Sequence, residues 1–203
     1  AERRVLILPQ SENELVHNLQ GGAVTLEGIE AAYCREGYYT PVTDPGTEIC
    51  QRVNLVQPGY PSQLALAWEQ RGSTLRTAVP EGVRDVSGYA ALHLRAALDP
   101  LSELNAEGQP QSFSLSLVDV DGNAAQVTVP SDAPALAFPA GMRRPNDHFE
   151  GDLFTGLVYM SSIRLPLTAF AGIDLGNVVE VSLVFDQTGS GRLFVADLEF
   201  VAN

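Results

Sequence analysis

The chain has 203 residues and a mass of 21.8 kDa, room for one domain of generous size. It carries 25 acidic residues against 12 basic ones, a formal net charge of −13, and every basic residue is arginine. Such a charge repels a phosphate backbone, which excludes nucleic acid as a partner, and it repels anionic membrane surfaces as well. No apolar run approaches the roughly 18–20 residues of a spanning helix, so membrane insertion by a helix is not expected.

The chain opens on Val5-Leu6-Ile7-Leu8, short and strongly apolar, followed by Pro9 and a polar run. Residues 4–9 read as a strand within an extension spanning 1–12. That strand has two conceivable mates. It can pair with an edge of its own sandwich, or with a neighbouring subunit by strand addition, a head-to-tail contact that builds filaments or surface layers.

Cys34 and Cys50 are the two cysteines, with 15 residues between them. The segment around them reads as exposed loop, where a disulfide would stabilise by about 3 kcal/mol through the unfolded state. A pair of buried free thiols is the alternative; the spacing excludes a CxxC redox or zinc motif. The disulfide reading implies an oxidising, extracytoplasmic setting. The start, Ala1-Glu2-Arg3-Arg4 with no long apolar stretch after it, fits a mature secreted chain or a domain of a larger one.

From residue 63 onward, alternation with period two recurs. Leu64, Leu66 and Trp68 alternate with Ala65 and Ala67. Leu92, Leu94, Ala96 and Leu98 face one way, His93 and Arg95 the other. Phe113, Leu115 and Leu117 lead through the turn Asp121-Gly122-Asn123 to Ala125, Val127 and Val129, a hairpin. Val179, Val181, Leu183 and Phe185 are followed by a Gly189-Ser190-Gly191 loop, read as a hairpin connection, and by Phe194, Ala196, Leu198 and Phe200 on one face. At least seven strands with polar outer faces require two packed sheets. The fold class is all-β, a two-sheet antiparallel β-sandwich over residues 1–203. Meander parity then groups turns 119–123 and 186–191 at one end and loops 99–111 and 168–177 at the other. Segment 139–160 is the longest without a strand pattern.

The stretch IRLPLTAFAGIDLGNVVEVSLVFDQTGSGRLFVADLEF (163–200) resembles the closing strands of galactose-binding-like jelly rolls, carbohydrate-binding-module-like domains often attached to secreted hydrolases. Residues 86–123 are similar to the middle strands of such domains. The resemblance implies a jelly-roll fold, and it implies that Asp197, an acid interrupting an apolar strand, helps to hold a structural calcium ion.

Catalytic motifs are missing. The histidines are His17, His93 and His148, and no G-x-S-x-G occurs. His93, on the outer face of a strand, reads as a solvated structural residue. Asp119-Val120-Asp121-Gly122-Asn123 looks like the front of a calcium loop, but its glycine is misplaced and Pro130 stands where a bidentate Glu belongs. A hairpin turn explains it better. Asp147, Glu150 and Asp152 concentrate carboxylates in one loop and are the remaining hard-cation candidates. For a sugar, aromatic faces and hydrogen-bonding side chains are needed. Tyr38, Tyr39, Tyr60, Phe149 and Tyr159 stand in loop-like segments and are the ligand candidates, whereas Trp68 alternates with core leucines. The sequence therefore points to a secreted, non-catalytic module that binds glycan or another extracellular polymer, with Ca2+ as its one expected ion. The alternative is a subunit of an extracellular filament joined through residues 4–9.

Overall fold

The computed structural model describes residues 4–7, 18–35, 38–41, 63–100, 102–140 and 160–202. Twelve strands run through them: β1 (Arg4–Ile7), β2 (Val24–Glu27), β3 (Ile29–Arg35), β4 (Tyr38–Pro41), β5 (Gln63–Trp68), β6 (Ser73–Ala78), β7 (Ala91–Leu98), β8 (Ser114–Asp119), β9 (Ala124–Thr128), β10 (Ser161–Pro166), β11 (Val178–Phe185) and β12 (Gly191–Val201). One sheet has the order β10-β7-β12-β5-β3-β4, with β1 as a seventh strand paired to β12; the other is β2-β6-β11-β8-β9. All pairings are antiparallel. The expected all-β sandwich is the fold found.

Alternation builds the core. Leu92, Leu94, Ala96 and Leu98 of β7, Leu115 and Leu117 of β8, and Val181, Leu183 and Phe185 of β11 join one buried apolar cluster. Across it the Trp68 and Phe185 rings stack at 4.1 Å, and Phe113 lies against Phe185 at 5.7 Å. Trp68 is thus core, as its alternation with leucines indicates. Gly191, paired with Trp68, leaves room for that ring, because a Cβ there would land inside the indole. β5 departs from the expected polar outer face: Gln63, Ala65 and Ala67 are buried along with Leu64, Leu66 and Trp68. A Leu/Ala alternation marks the inner face by size and says nothing about whether the alanines meet water.

β2 and β3 belong to different sheets, and Gly28 alone joins them. Its φ of +66° is ordinary for glycine, and a Cβ would approach the Ser73 hydroxyl to 2.6 Å. The segment expected as loop around Cys34 is in part strand: Cys34 lies in β3, paired with Gln63 on one side and Tyr39 on the other. Short residues such as Ala31 and Ala32, both buried, disguise this strand because they lack the bulky apolar pattern of the others. Cys50 lies outside the described residues.

The expected grouping of loops at the two ends is overturned. Turn 119–123 sits with loop 173–177, where the Val120 N–H donates to the Asn177 carbonyl at 3.0 Å. Loop 186–190 sits with loop 99–111, where the Ser190 hydroxyl donates to the Leu104 carbonyl at 3.0 Å. β8 and β11 are antiparallel neighbours, so β8 ends where β11 begins. Residues 186–190 then cross from the five-stranded to the seven-stranded sheet and do not close a hairpin. Asp121-Gly122-Asn123, in contrast, does close the β8–β9 hairpin.

β12 also corrects the sequence reading. Leu193 and Val195 join the central apolar cluster, Phe194 and Ala196 are buried outside it, and Leu198 and Phe200 join it again. The register against β7 slips between Ala196 and Glu199, and Asp197 adopts φ of +52°. This is a β-bulge, with Asp197 in the left-handed conformation that Asp tolerates better than most residues. It switches the parity of β12 midway, so a run that alternates perfectly in sequence does not stay on one face. Beyond the end of β5, β1 pairs with β12 of the same chain, Arg4 opposite Phe200, and Leu6 is fully buried in the core.

Candidate functional site

The outer face of the seven-stranded sheet carries a connected set of polar side chains. The ladders align Ser162 with Arg95 and Arg95 with Ala196, and align Arg164 with His93 and His93 with Glu199. The bulge brings Asp197 within reach of Arg95, whose Nε donates to Oδ2 at 2.8 Å and whose Nη2 donates to the same oxygen. His93 Nδ1 lies 2.8 Å from Glu199 Oε1, and Nε2 lies 3.2 Å from the Ser162 hydroxyl. A carboxylate only accepts, so Nδ1 carries the proton of that bond.

Burial divides these residues into two roles. The Asp197 and Glu199 side chains are 8% and 4% exposed, whereas those of Arg95 and His93 are 33% and 16% exposed. Ser162 and Arg164 are exposed. Each buried carboxylate therefore fixes a cation or donor whose outer edge reaches solvent. Such pairing satisfies the carboxylates and orders the guanidinium and imidazole in advance. Gln63, buried on β5 with an Oε1 that meets no donor, is a further acceptor in this sheet.

Ser162, His93 and Glu199 stand in the connectivity of a hydrolytic triad, so an oxyanion hole is the deciding feature. Ser162 is in the middle of β10, flanked in register by Ser161 opposite Ala96 and Ile163 opposite Leu94. Successive N–H groups along a strand point in opposite directions within the sheet, so the neighbouring amides of Ser162 cannot converge on one oxygen. The chain of bonds orients His93.

The sequence candidates fall in several places. Tyr38 and Tyr39 are in β4, at the far edge of the seven-stranded sheet, and not in a loop. Tyr60, Phe149 and Tyr159, and the cation candidates Asp147, Glu150 and Asp152, lie outside the described residues. Asp197 is bonded to Arg95, and among the described residues no three His, Cys, Asp or Glu side chains gather as a metal site. Asp119 accepts the N–H groups of Asp121, Asn123 and Asp174 and the Asn123 amide, at 2.9–3.0 Å. Those amides take the place a cation would hold in a calcium loop. The Asp174 amide foremost, then Asn123, holds the Asp119 carboxyl below its ordinary range.

Two residues that fix the second loop end were invisible in the sequence. Asn105, fully buried, donates to the Asp99 and Arg192 carbonyls and accepts from the Arg192 and Gln111 N–H groups. Gln111 in turn donates to the Ser190 carbonyl and accepts from the Thr188 hydroxyl. Nothing in a polar loop sequence separates such buried amides from solvated ones.

No protein-family model matches the sequence, and no curated protein matches it. Solved structures do. The chain is similar over its whole length to a family 11 carbohydrate-binding module of the cellulosomal cellulase Lic26A-Cel5E of Clostridium thermocellum, with a TM-score of 0.51, 7% identity and 96% of that chain covered. It is similar to part of an exo-β-agarase, with a TM-score of 0.51 and 11% identity over 98% of this chain and 25% of that one. A third likeness is to the agarase AgWH50C, with a TM-score of 0.50 and 10% identity, covering 26% of that chain. The fold is the jelly roll of carbohydrate-binding modules and of domains within glycan-degrading enzymes, as residues 163–200 imply.

Proposed function

We propose that this protein is a secreted, non-catalytic module that binds a polysaccharide through the outer face of its seven-stranded sheet. The observation that carries the reading is the pairing of two buried carboxylates, Asp197 and Glu199, with two partly exposed donors, Arg95 and His93. A sugar hydroxyl is recognised by fixed donors and acceptors on rigid strands, and this face presents a guanidinium, an imidazole and a hydroxyl side by side. The likeness in fold to a cellulase's binding module and to a quarter of an agarase supports the same class of ligand. Secretion rests on the Cys34 and Cys50 pair.

Native gels cast with soluble polysaccharides test this proposal. Mixed-linkage β-glucan, xylan, galactan, low-melting agarose and polygalacturonate form the panel. Retarded migration of the full chain in at least one gel is the expected result; unchanged migration in all of them rejects the reading.

A further inference from the structure

A second feature lies at one end of the same sheet, apart from the Arg95 and His93 face. Gly28, Ile29 and Glu30 at the start of β3, Ala67, Trp68 and Glu69 at the end of β5, and Leu104 line a cleft of about 320 Å³. That volume is at the lower end of the range for small-ligand sites. Gly28, Glu30 and Glu69 are exposed, so the cleft opens to solvent. Leu104 is held in place by its neighbour Asn105, which bonds Asp99 and Gln111 within loop 99–111 and makes two further hydrogen bonds to Arg192 of β12.

The lining has an uneven chemistry. Ile29, Ala67, Trp68 and Leu104 supply the apolar part of the lining. Glu30 and Glu69 meet no hydrogen-bond or ion-pair partner among the described residues. Trp68 is 1% exposed, and its Nε1–H is buried without an acceptor. A bare cation would satisfy the carboxylates but has no use for apolar walls. An anion would meet two negative charges. What suits apolar walls and two acceptors together is an uncharged ring with hydroxyl groups on its rim and C–H groups on its faces.

We infer that this cleft is a second glycan site, which takes one neutral sugar residue and rejects uronic or sulfated sugars. The inference rests on the glycan-binding reading above and names the ligand class at a different place on the fold. Glu30 and Glu69 accept from sugar hydroxyls, and the walls pack on the pyranose C–H groups.

Trp68 is the chain's one tryptophan, so its fluorescence reports on this cleft. The full chain is titrated with cellobiose, agarobiose and digalacturonate while Trp68 emission is followed, alongside the polysaccharide gels. A neutral disaccharide should shift the emission and digalacturonate should not. Glu30→Ala and Glu69→Ala should each weaken that binding about 10–100-fold, the range for a hydrogen bond to a charged group, with unchanged melting curves. Glu81→Ala, an exposed acid elsewhere, should bind as the parent does. Retardation in the gels with no change in Trp68 emission, or with undiminished binding by both variants, overturns the cleft and leaves glycan binding intact. Failure of every sugar in both assays overturns both.

Discussion

Arg95 reaches across the β7–β12 ladder to Asp197 at the point where the register of that ladder slips. One residue with φ of +52° thereby supplies both a bend in the longest strand and the counter-charge for a partly exposed arginine. Asp is suited to both tasks, because it tolerates the left-handed region and carries a carboxylate. Asp197→Asn retains the backbone tolerance and loses the charge, whereas Asp197→Ala loses both. Urea denaturation should rank Asp197→Ala as the less stable of the two, with a total loss of about 1–3 kcal/mol. Equal stability of the two variants would show that the conformation of residue 197 is of no consequence.

Acid should loosen the end of the sandwich that holds turn 119–123, through Asp119. Its carboxyl is held below its ordinary value, chiefly by the Asp174 amide, so the ionised form is favoured by folding. A lowered folded-state value means that the stabilisation is present above the unfolded carboxyl value and is lost as pH falls through the folded one. Asp119→Asn should therefore melt below the parent at pH 7, and the gap should close as the pH is lowered toward 2. A gap independent of pH would assign the loss to geometry alone.

Much of the fold was legible because large residues alternate with small or polar ones from residue 63 onward. Strands β7, β8 and β9 follow that pattern, and so does β11 from Val181 onward, whereas a register shift at its start buries Val178 in place of the expected Val179. The outward direction of His93 and Arg95 came with the pattern. Three features were not legible, each for a physical reason. The bulge at Asp197 shifts parity without altering composition. The passage of residues 186–190 between sheets depends on which neighbours the strands find. β3 is rich in small and polar residues, and β4 is only four residues long and ends on a proline, so both resemble loop. For the site, Asp197 could be singled out as an acid in an apolar run, but its partner Arg95 is 102 residues away and pairs with it only through the topology.

Gly191 should be intolerant of any side chain. A Cβ there meets the Trp68 ring, and overpacking of this kind costs roughly 1–3 kcal/mol. Gly191→Ala should lower the melting temperature and move the Trp68 emission to longer wavelength as the Trp68–Phe185 stack opens. Unchanged emission would mean that the ring relaxes without leaving its stack.

Leu6 tests how β1 is held. It is fully buried on its own chain's core, and truncation of such a leucine costs about 2–5 kcal/mol. Leu6→Ala should destabilise the chain equally at low and high protein concentration. A loss that grows on dilution would instead place β1 on another subunit.

The triad connectivity of Ser162, His93 and Glu199 should yield no hydrolase. Incubation with a fluorophosphonate probe should leave Ser162 unlabelled, and p-nitrophenyl acetate should be cleaved at the same rate by the parent and by Ser162→Ala. Stoichiometric labelling at Ser162 would overturn the non-catalytic reading.

Calorimetric titration of the parent, Arg95→Ala and Ser162→Ala with whichever neutral polysaccharide retards the chain tests the sheet face most directly. The account predicts measurable binding by the parent, weakened about 10–100-fold by Arg95→Ala, whose lost bonds involve a charged group, and less by Ser162→Ala. Equal affinity of all three proteins, or no heat with any polysaccharide, would contradict it.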